Sequence, residues 1–190
     1  TERTKIETYL GIKYGITLGI NGTSQNYLGS DGTIIWDATA NSGFNYDIAG
    51  IGRDDISKLN QKQSKSVNAN SILTIGLGTI ATTNTANTNA FDADKKYLIW
   101  GDNGESMNDS GTDLTLTFGG TSNVTTLTDI PNKKWKIVEV GGDVAPAKVA
   151  VPTSAFANLP ALSGNDAYVM IVSSDAAFTT GLETIFLTTN

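Results

Sequence analysis

The chain is a succession of short β-rich runs separated by turn residues, and this feature constrains its fold more than any other. Val, Ile, Thr and the aromatic residues favour strands, whereas Gly, Asn, Asp and Ser favour turns. The candidate strands are residues 33–39, 47–53, 59–67, 72–78, 95–101, 113–119, 123–130, 133–140, 148–154, 167–174 and 184–190. Turn signals every eight to twelve residues are typical of sandwiches and barrels. The pattern therefore predicts an all-β fold, an antiparallel β-sandwich of about ten short strands.

Several of these runs alternate between apolar and polar residues. Leu114, Leu116 and Phe118 alternate with threonines, and residues 135–140 alternate with a slip at the centre. Because successive side chains of a strand point to opposite faces, this pattern predicts antiparallel sheets with one buried and one wet face.

The opening segment TERTKIETYLGIKYGITL is the one stretch with a helical pattern. Thr4-x-x-Glu7 matches a capping box, and Gly15 should end the helix. The expected apolar stripe is Ile6, Tyr9, Leu10, Lys13 and Tyr14. A helix of three to four turns is not stable alone, so we expect it to dock. The predicted organisation is a docking or linker helix at 1–18 and a β-sandwich domain at 19–190.

Composition excludes several classes of partner. The net charge is −6, the isoelectric point is near 4.5, and the Lys and Arg residues are scattered. Nucleic-acid binding needs a basic patch, so no nucleic-acid partner is predicted. No apolar run approaches the length of about 18 residues that a spanning helix needs, so no membrane insertion is predicted. The chain starts at Thr1 without Met, which favours a mature or excised piece of a longer precursor.

The absence of two residue types narrows the chemistry further. The chain has no Cys and no His, which excludes disulfides, thiolate nucleophiles, Ser-His-Asp triads and His-ligated zinc. Carboxylate, Lys and Tyr chemistry remain. We predict no catalytic residues and no enzyme, with calcium as the one candidate cofactor.

The segment from Asp47 to Asp55 has two interpretations. A pair from Asp47, Asp54 and Asp55 could serve as acid and base in glycoside cleavage, which needs two carboxyls about 5–10 Å apart. The simpler interpretation is a hairpin, with Gly50 and Gly52 allowing close backbone approach and the Asp side chains capping turn amides. We favour the hairpin because adjacent strand residues point to opposite faces.

Calcium is a second hypothesis for the acidic side chains, which comprise 14 Asp and 5 Glu. Calcium takes six to eight hard oxygen ligands. The first candidate loop offers Asp102, Asn103, Glu105 and Asp109, and the second candidate is Asp54 with Asp55. The spacing does not match an EF-hand, because Gly104 comes too early. A solvated loop is the alternative interpretation.

Aromatic residues suggest both a core and a binding surface. Trp36, Trp100 and Trp135 lie in strand runs and are predicted to pack in the core. Tyr27, Phe44 and Tyr46 lie in predicted loops, where exposed rings would be available to stack on a sugar.

Six segments of the sequence resemble a known family. They are IETYLGIKYGITL, SDGTIIWDATANSGFNYDIAGIGRDD, LNQKQSKSVN, ILTIGLG, YLIWGDNG and WKIVEV. Together they resemble a domain of unknown function that recurs in large secreted surface proteins of Bacteroidota. The opening helix is similar to the tail of a preceding concanavalin-like or laminin-G-like module. The resemblance implies an extracellular, multidomain, adhesin-like parent and carries no known activity.

These observations predict a non-catalytic structural or adhesive module of a bacterial cell-surface or secreted protein. Its expected partners are neighbouring modules or copies of itself, which could build a fibre or filament. A carbohydrate-binding module that recognises a surface glycan is the alternative. A carboxylate-based glycan-active enzyme is a third interpretation.

Overall fold

A computed structural model of the chain describes residues 1–108, 113–118, 123–128, 130–156, 159, 161–164 and 166–188. The chain divides into two compact units, Thr1–Ala157 and Asn158–Asn190. The described residues are mostly strands in several antiparallel sheets, with one α-helix at the start. The all-β, sandwich-like prediction is confirmed.

The helix is α1 (Glu2–Tyr14). The strands are β1 (Gly19–Ile20), β2 (Thr23–Ser24), β3 (Tyr27–Leu28), β4 (Ile34–Trp36), β5 (Tyr46–Asp54), β6 (Leu59–Gln61), β7 (Gln63–Ser64), β8 (Thr74–Leu77), β9 (Lys96–Asp102), β10 (Leu114–Phe118), β11 (Asn123–Leu127), β12 (Trp135–Val140), β13 (Ala147–Ala150), β14 (Val169–Val172) and β15 (Glu183–Phe186). Each of the predicted runs contains a strand. The two-residue strands β1, β2 and β3 lie in sequence that the pattern left as loop.

The central sheet of the larger unit has the order β12-β9-β5-β6. One face of it packs against α1 and the β3–β4 ribbon, and the other contacts the three-stranded sheet β13-β8-β7. Along β9, Tyr97 and Ile99 enter the first core, whereas Leu98 and Trp100 enter the second. Both faces of β5 and β9 are therefore covered.

Strand β12 keeps one exposed face, because it lies at the edge of the central sheet. Val138 and Val140 pack against the first core, and Trp135 packs against the second. Ile137 is exposed, contrary to the sequence pattern. The side chains of Leu114, Leu116 and Phe118 lie outside the described part of the structure.

Glycine in β5 lets the layers approach closely. A Cβ atom at Gly50 would lie 2.3 Å from Cδ1 of Ile99 and 3.0 Å from Cδ1 of Ile12. The missing side chain at Gly50 therefore leaves room for Ile12 of α1 on the sheet surface. The predicted close approach at Gly50 is confirmed.

The hairpin predicted after β5 is also confirmed. Strand β6 pairs with β5 in the register Gly52↔Gln61 and Asp54↔Leu59. The chain then passes from the central sheet to the three-stranded sheet, because β7 pairs with β8. The stretch 59–67, which the sequence predicts as a single strand, thus connects the two sheets.

The helix begins earlier than predicted. Thr1 is the N-cap, and its hydroxyl accepts a hydrogen bond from the Thr4 N–H at 3.3 Å. The capping box assigned to Thr4 and Glu7 is therefore wrong. The predicted end is right, because Gly15 adopts a left-handed conformation with φ 65° and its carbonyl accepts a hydrogen bond from Val67 N.

The buried face of α1 also differs from the prediction. Thr8, Gly11 and Ile12 are its buried residues. The Thr8 hydroxyl accepts a hydrogen bond from Leu28 N at 2.9 Å, which satisfies this polar group at the contact. Of the predicted stripe, Tyr9 packs against the first core, whereas Ile6, Leu10 and Tyr14 are exposed. Small and hydrogen-bonded residues bring the helix close to the sheet, so an apolar pattern alone finds only part of the buried face.

A stripe of apolar side chains consequently lies on the exposed side of the helix. Ile6, Leu10 and Tyr14 are 61%, 42% and 54% exposed. They follow one another at intervals of four residues and so form one line along α1. We call these three residues the α1 stripe.

The smaller unit contains the antiparallel ribbon β14–β15. Asp175 organises the turn before β15, since its carboxylate accepts hydrogen bonds from the backbone N–H groups of Ala177, Thr179 and Thr180. The hydrogen bond from the Thr180 hydroxyl to this carboxylate is the main influence that lowers the pKa of Asp175, and the backbone bonds lower it further. Phe186 is among the large exposed apolar residues of this unit.

No helix among the described residues is long and apolar enough to span a membrane.

Two isoleucines on α1 test its orientation. Ile12→Ala should lower the free energy of unfolding by about 2–5 kcal/mol, because Ile12 is fully buried and its truncation leaves a cavity. Ile6→Ala is the matched control and should change this free energy by no more than about 0.5 kcal/mol. Urea unfolding of both variants is the measurement. A larger loss for Ile6→Ala would support the face predicted from the sequence pattern.

Candidate functional site

Buried acidic side chains lie at both ends of the β5–β9 pair. Asp47, Asp54 and Asp102 are 5%, 2% and 1% exposed. Tyr46 pairs with Asp102 at one end of the two strands, and Arg53 pairs with Lys96 at the other. Asp47 and Asp54 are therefore separated by most of the length of β5, roughly 20 Å at the rise of a strand. That distance is too long for a glycosidase pair.

Asp54 anchors a hydrogen-bond network at one end. Its carboxylate accepts bonds from Lys95 Nζ at 2.6 Å, Tyr97 Oη at 2.8 Å, and the N–H and hydroxyl of Ser30 at 2.9 and 2.8 Å. It also accepts bonds from the N–H groups of Ile56 and Ser57 at 3.2 Å each. These contacts satisfy both oxygens and brace the turn of the β5–β6 hairpin.

The network shifts the titration of its members. Burial alone would raise the pKa of Asp54, but the bonds from Lys95, Ser30 and Tyr97 outweigh burial and hold the pKa well below its usual range. Burial, followed by the hydrogen bond to Asp54, raises the pKa of the Tyr97 hydroxyl far above its ordinary value. The carboxylate is thus locked in its ionised form.

Asp55 lies outside this network although it is the next residue. Its carboxylate makes a two-pronged contact with Arg53, with Nε and Nη2 each 2.8 Å from an oxygen, and it is exposed. The Arg53 hydrogen bond is the main influence that lowers the pKa of Asp55. Asp54 and Asp55 therefore serve separate contacts, and the structure does not bring them together as one site.

Asp47 occupies a strained position at the other end. It has a φ of 51° and lies where the register between β5 and β9 shifts between Tyr46 and Ala49. Its Oδ1 accepts hydrogen bonds from the side-chain amides of Asn21 at 3.1 Å and Asn68 at 2.9 Å, and its N–H donates to Asn21 Oδ1. Asparagine side chains from two loops hold this irregular strand end in place.

Asp102 and Lys133 form a buried ion pair beside Asp47. Lys133 Nζ lies 2.8 Å from Asp102 Oδ2, and the side chains are 4% and 1% exposed. Gly104 N donates to Oδ1 at 2.8 Å. Burial raises the pKa of the Asp102 carboxyl. The hydrogen bonds from Lys133 and Gly104 offset part of that rise, and the charge of Asp47 adds to it. The pKa of Asp54 is therefore lowered, whereas the pKa of Asp102 is raised.

The first calcium candidate can be placed in part. Asp102 is engaged by Lys133, so a cation at this carboxylate would have to displace an ammonium group. Asn103 Oδ1 accepts hydrogen bonds from Glu105 N and Lys134 N, and Glu105 is exposed. Asp109 lies outside the described residues. In the part of the chain that the structure describes, no three acidic side chains converge as metal ligands. The calcium site stays a prediction.

Sequence reasoning missed the cationic and amide partners of these carboxylates. Lys95, Lys133 and Asn68 read as ordinary polar residues of loops and strand ends. Asn68 is 21 residues from Asp47, and Lys95 is 41 residues from Asp54. No local signal marks a contact over such a separation. The one hint was the two-lysine start of KKWKIVEV, where Lys133 is buried.

The aromatic predictions divide between core and surface. Trp36 and Trp100 are fully buried, as predicted, and Trp100 Nε1 has no hydrogen-bond partner among the described residues. The loop assignment of Tyr27 is wrong, since it lies in β3 with its ring fully buried and its hydroxyl accepting a bond from Leu18 N. Phe44 is partly buried against the first core. The loop assignment of Tyr46 is also wrong, since it is the first residue of β5, and it keeps 37% of its surface exposed.

An open groove of about 380 Å³ runs beside the end of α1. It is lined by Lys13, Tyr14, Gln61, Gln63, Ser64, Lys65, Thr74 and Asn84. An exposed tyrosine ring, amide side chains and lysines share this surface. Such a lining suits a polar ligand with both apolar and hydrogen-bonding faces.

The buried Asp54 predicts a specific dependence of stability on pH. Because its folded-state pKa lies below the unfolded value of about 3.9, its contribution is complete above that pH and is lost as pH falls through the folded value. Asp54→Asn should cost about 3 kcal/mol at pH 7, because it breaks a buried ion pair. The difference from the wild type should shrink below about pH 4. Urea unfolding across this range is the measurement.

The neighbouring carboxylate supplies the control for this experiment. Asp55→Asn removes an exposed pair with Arg53 and should leave the acid limb of the stability curve nearly unchanged. A loss for Asp54→Asn as small as that of Asp55→Asn would contradict a stabilising role for the network around Asp54.

Comparison with known proteins gives one match. No curated protein and no solved structure matches the chain. A family model described as Domain of unknown function (DUF8202) matches residues 2–190. The match covers nearly the whole chain, and the chain belongs to this family of domains of unknown function.

Proposed function

We propose that this domain is a non-catalytic structural and adhesive module that self-associates through the α1 stripe. The observation that carries the proposal is the line of exposed apolar side chains Ile6, Leu10 and Tyr14 on a helix that docks by its opposite face. Exposed apolar surface on a folded domain is typical of a contact surface.

The geometry of the stripe favours a second copy of the same chain. Leu10 lies at its centre, with Ile6 and Tyr14 four residues to either side. Two antiparallel helices would therefore place Leu10 against Leu10 across a twofold axis, and Ile6 against Tyr14 of the partner copy. Antiparallel helices also bring opposite ends of their dipoles together.

A twofold contact closes on itself and gives pairs. A filament would need a second, different contact. The exposed Phe186 beside Ile185 on β15 is the candidate for that contact, since a two-stranded ribbon is marginal on its own and, among the described residues, no further strand pairs with β14 or β15.

The buried carboxylates support a structural role over a catalytic one. Asp47, Asp54 and Asp102 are each shielded from solvent and bonded to donors of the chain itself. A substrate would have to open the fold to reach them. In the described residues these groups connect strand ends and turns to the core, as expected of a structural module.

We further propose that the module works at the surface of a bacterial cell, as an extracellular part of an adhesin-like parent. The support is the resemblance to domains of large secreted proteins of Bacteroidota. Calcium with Asp102, Asn103, Glu105 and Asp109 as its ligands stays a separate prediction, and it requires Asp102 to release Lys133 and keep a free carboxylate. A gain in melting temperature with calcium over a chelator would support it.

Sedimentation velocity over a range of concentrations tests self-association. The wild-type chain should shift from monomer to dimer as concentration rises, and Ile6→Ser combined with Leu10→Ser should stay monomeric, because the stripe loses its apolar centre. Ile56→Ser is the matched control, since Ile56 is 72% exposed in the β5–β6 turn. A wild type that stays monomeric at high concentration would contradict the proposal.

The groove beside α1 favours a second candidate function, the binding of a glycan. Lys13 and Lys65 give this groove positive charge in an acidic protein, so an acidic glycan fits best. Tyr14 offers a ring for stacking, and Gln61 and Asn84 offer amides for hydroxyl groups.

Calorimetric titration with oligogalacturonate tests this alternative, with cellohexaose as the neutral comparison. Lys65→Ala should weaken oligogalacturonate binding about tenfold, the effect of losing one charged hydrogen bond. Lys148→Ala, an exposed lysine on β13, is the matched control and should leave binding unchanged. Equal binding of the acidic and neutral oligosaccharides would contradict a role for the lysines.

A further inference from the structure

The ion pair of Asp102 and Lys133 differs from an ordinary salt bridge in its burial, and Lys133 Nζ also donates a hydrogen bond to the carbonyl oxygen of Glu105 at 3.2 Å. Nζ of Lys133 lies 2.8 Å from a carboxylate oxygen of Asp102, and both side chains are at least nine-tenths buried. Trp135, which pairs directly with Asp102 across β9 and β12, carries its ring 6.0 Å from the same Nζ. The amine and the carboxyl are thus held together where little of either side chain is exposed to solvent.

The pair of Asp54 and Lys95 provides a contrast within the same molecule. Asp54 accepts additional bonds from Ser30, Tyr97 and the turn amides, and 23% of the Lys95 side chain is exposed. Among the described residues, Asp102 has Lys133 and the N–H of Gly104 as its donors. Asp54 is therefore fixed as an anion, whereas Asp102 is far less saturated with donors.

We propose that Lys133 and Asp102 join through an amide bond between Nζ and Cγ, an intramolecular cross-link that forms after folding. A proton first moves from the ammonium to the carboxylate across their hydrogen bond. The amine lone pair then attacks Cγ, and a new N–C bond forms. The hydroxyl of the resulting tetrahedral carbon leaves with a proton from nitrogen as one water molecule. The step needs no oxidant and no co-reactant.

Two physical effects favour this bond. Holding an amine and a carboxyl in contact converts a reaction between two molecules into one within a single site, which raises the effective concentration greatly. A buried ion pair also carries a desolvation cost for both charges. The amide is neutral, so its formation removes that cost, and the exclusion of water from the site opposes hydrolysis.

The cross-link would close the segment between the end of β9 and the start of β12. Residues 103–132, which include the β10–β11 ribbon, would then lie inside a covalent loop. Tension on the chain would pass through the bond and bypass this loop. This inference goes beyond the proposed function and does not depend on self-association.

The intact mass of the full chain under denaturing conditions tests the bond. We expect a mass lower than that of the sequence by one water molecule, and a digest that yields one branched peptide containing both Asp102 and Lys133. If the purified, folded wild-type chain has the full mass calculated from its sequence, with no water lost, the proposal is overturned and no variant is needed.

Two lysine variants identify the residue at which the water molecule is lost. Lys133→Met should have its full sequence mass, whereas Lys95→Met, which disrupts the contrasting pair, should keep the deficit of one water. A deficit that survives in Lys133→Met would overturn the proposal, because it would place the dehydration elsewhere, such as at a cyclised aspartate. Peptide mapping of the wild type gives the same answer if a variant fails to fold.

Discussion

The covering of strands β5 and β9 on both faces is the constraint on which the rest of the structure depends. A strand with two buried faces has no wet side on which to place polar residues, so its sequence becomes nearly continuous in small and apolar residues. The stretches DIAGIG and YLIWG show this pattern. Gly50 completes the arrangement by leaving space for Ile12 of the helix. The helix α1 with the β3–β4 ribbon covers one face of β5 and β9, and the sheet β13-β8-β7 covers the other.

The same burial explains why polar residues concentrate at the two ends of this strand pair. A strand that leaves a covered core still carries backbone groups and side chains that must find partners. At one end Asp54 gathers amide, hydroxyl and ammonium donors around the hairpin turn. At the other end Asp47 and Asp102 take donors from loops distant in sequence. Each charge is satisfied, and each one ties a connecting segment to the core.

Local sequence signals predicted the strands and the hairpin but not their layering. Short β-rich runs bounded by Gly and Asp are local features, so β5, β6 and β9 could be placed before the structure was known. Whether a strand is covered on one face or on both depends on how the rest of the chain packs. The sequence of residues 47–52 is compatible with either arrangement. The partners of Asp54 and Asp102 were not predictable for a related reason: Lys95 and Lys133 meet them only through the pairing of strands distant in sequence.

The helix shows why hydrophobic periodicity predicted only one residue of its packed face, Tyr9. Periodicity assumes that the most apolar line faces the core, yet α1 docks through Thr8, Gly11 and Ile12, where a buried hydroxyl accepts a backbone hydrogen bond. If the fold alone determined the outer face, polar residues at positions 6 and 10 would serve it equally well, because these side chains contribute little to the core. Ile6 and Leu10 lie there in line with Tyr14. This apolar line on the solvent side of an already docked helix is the surface that the proposed self-association would use.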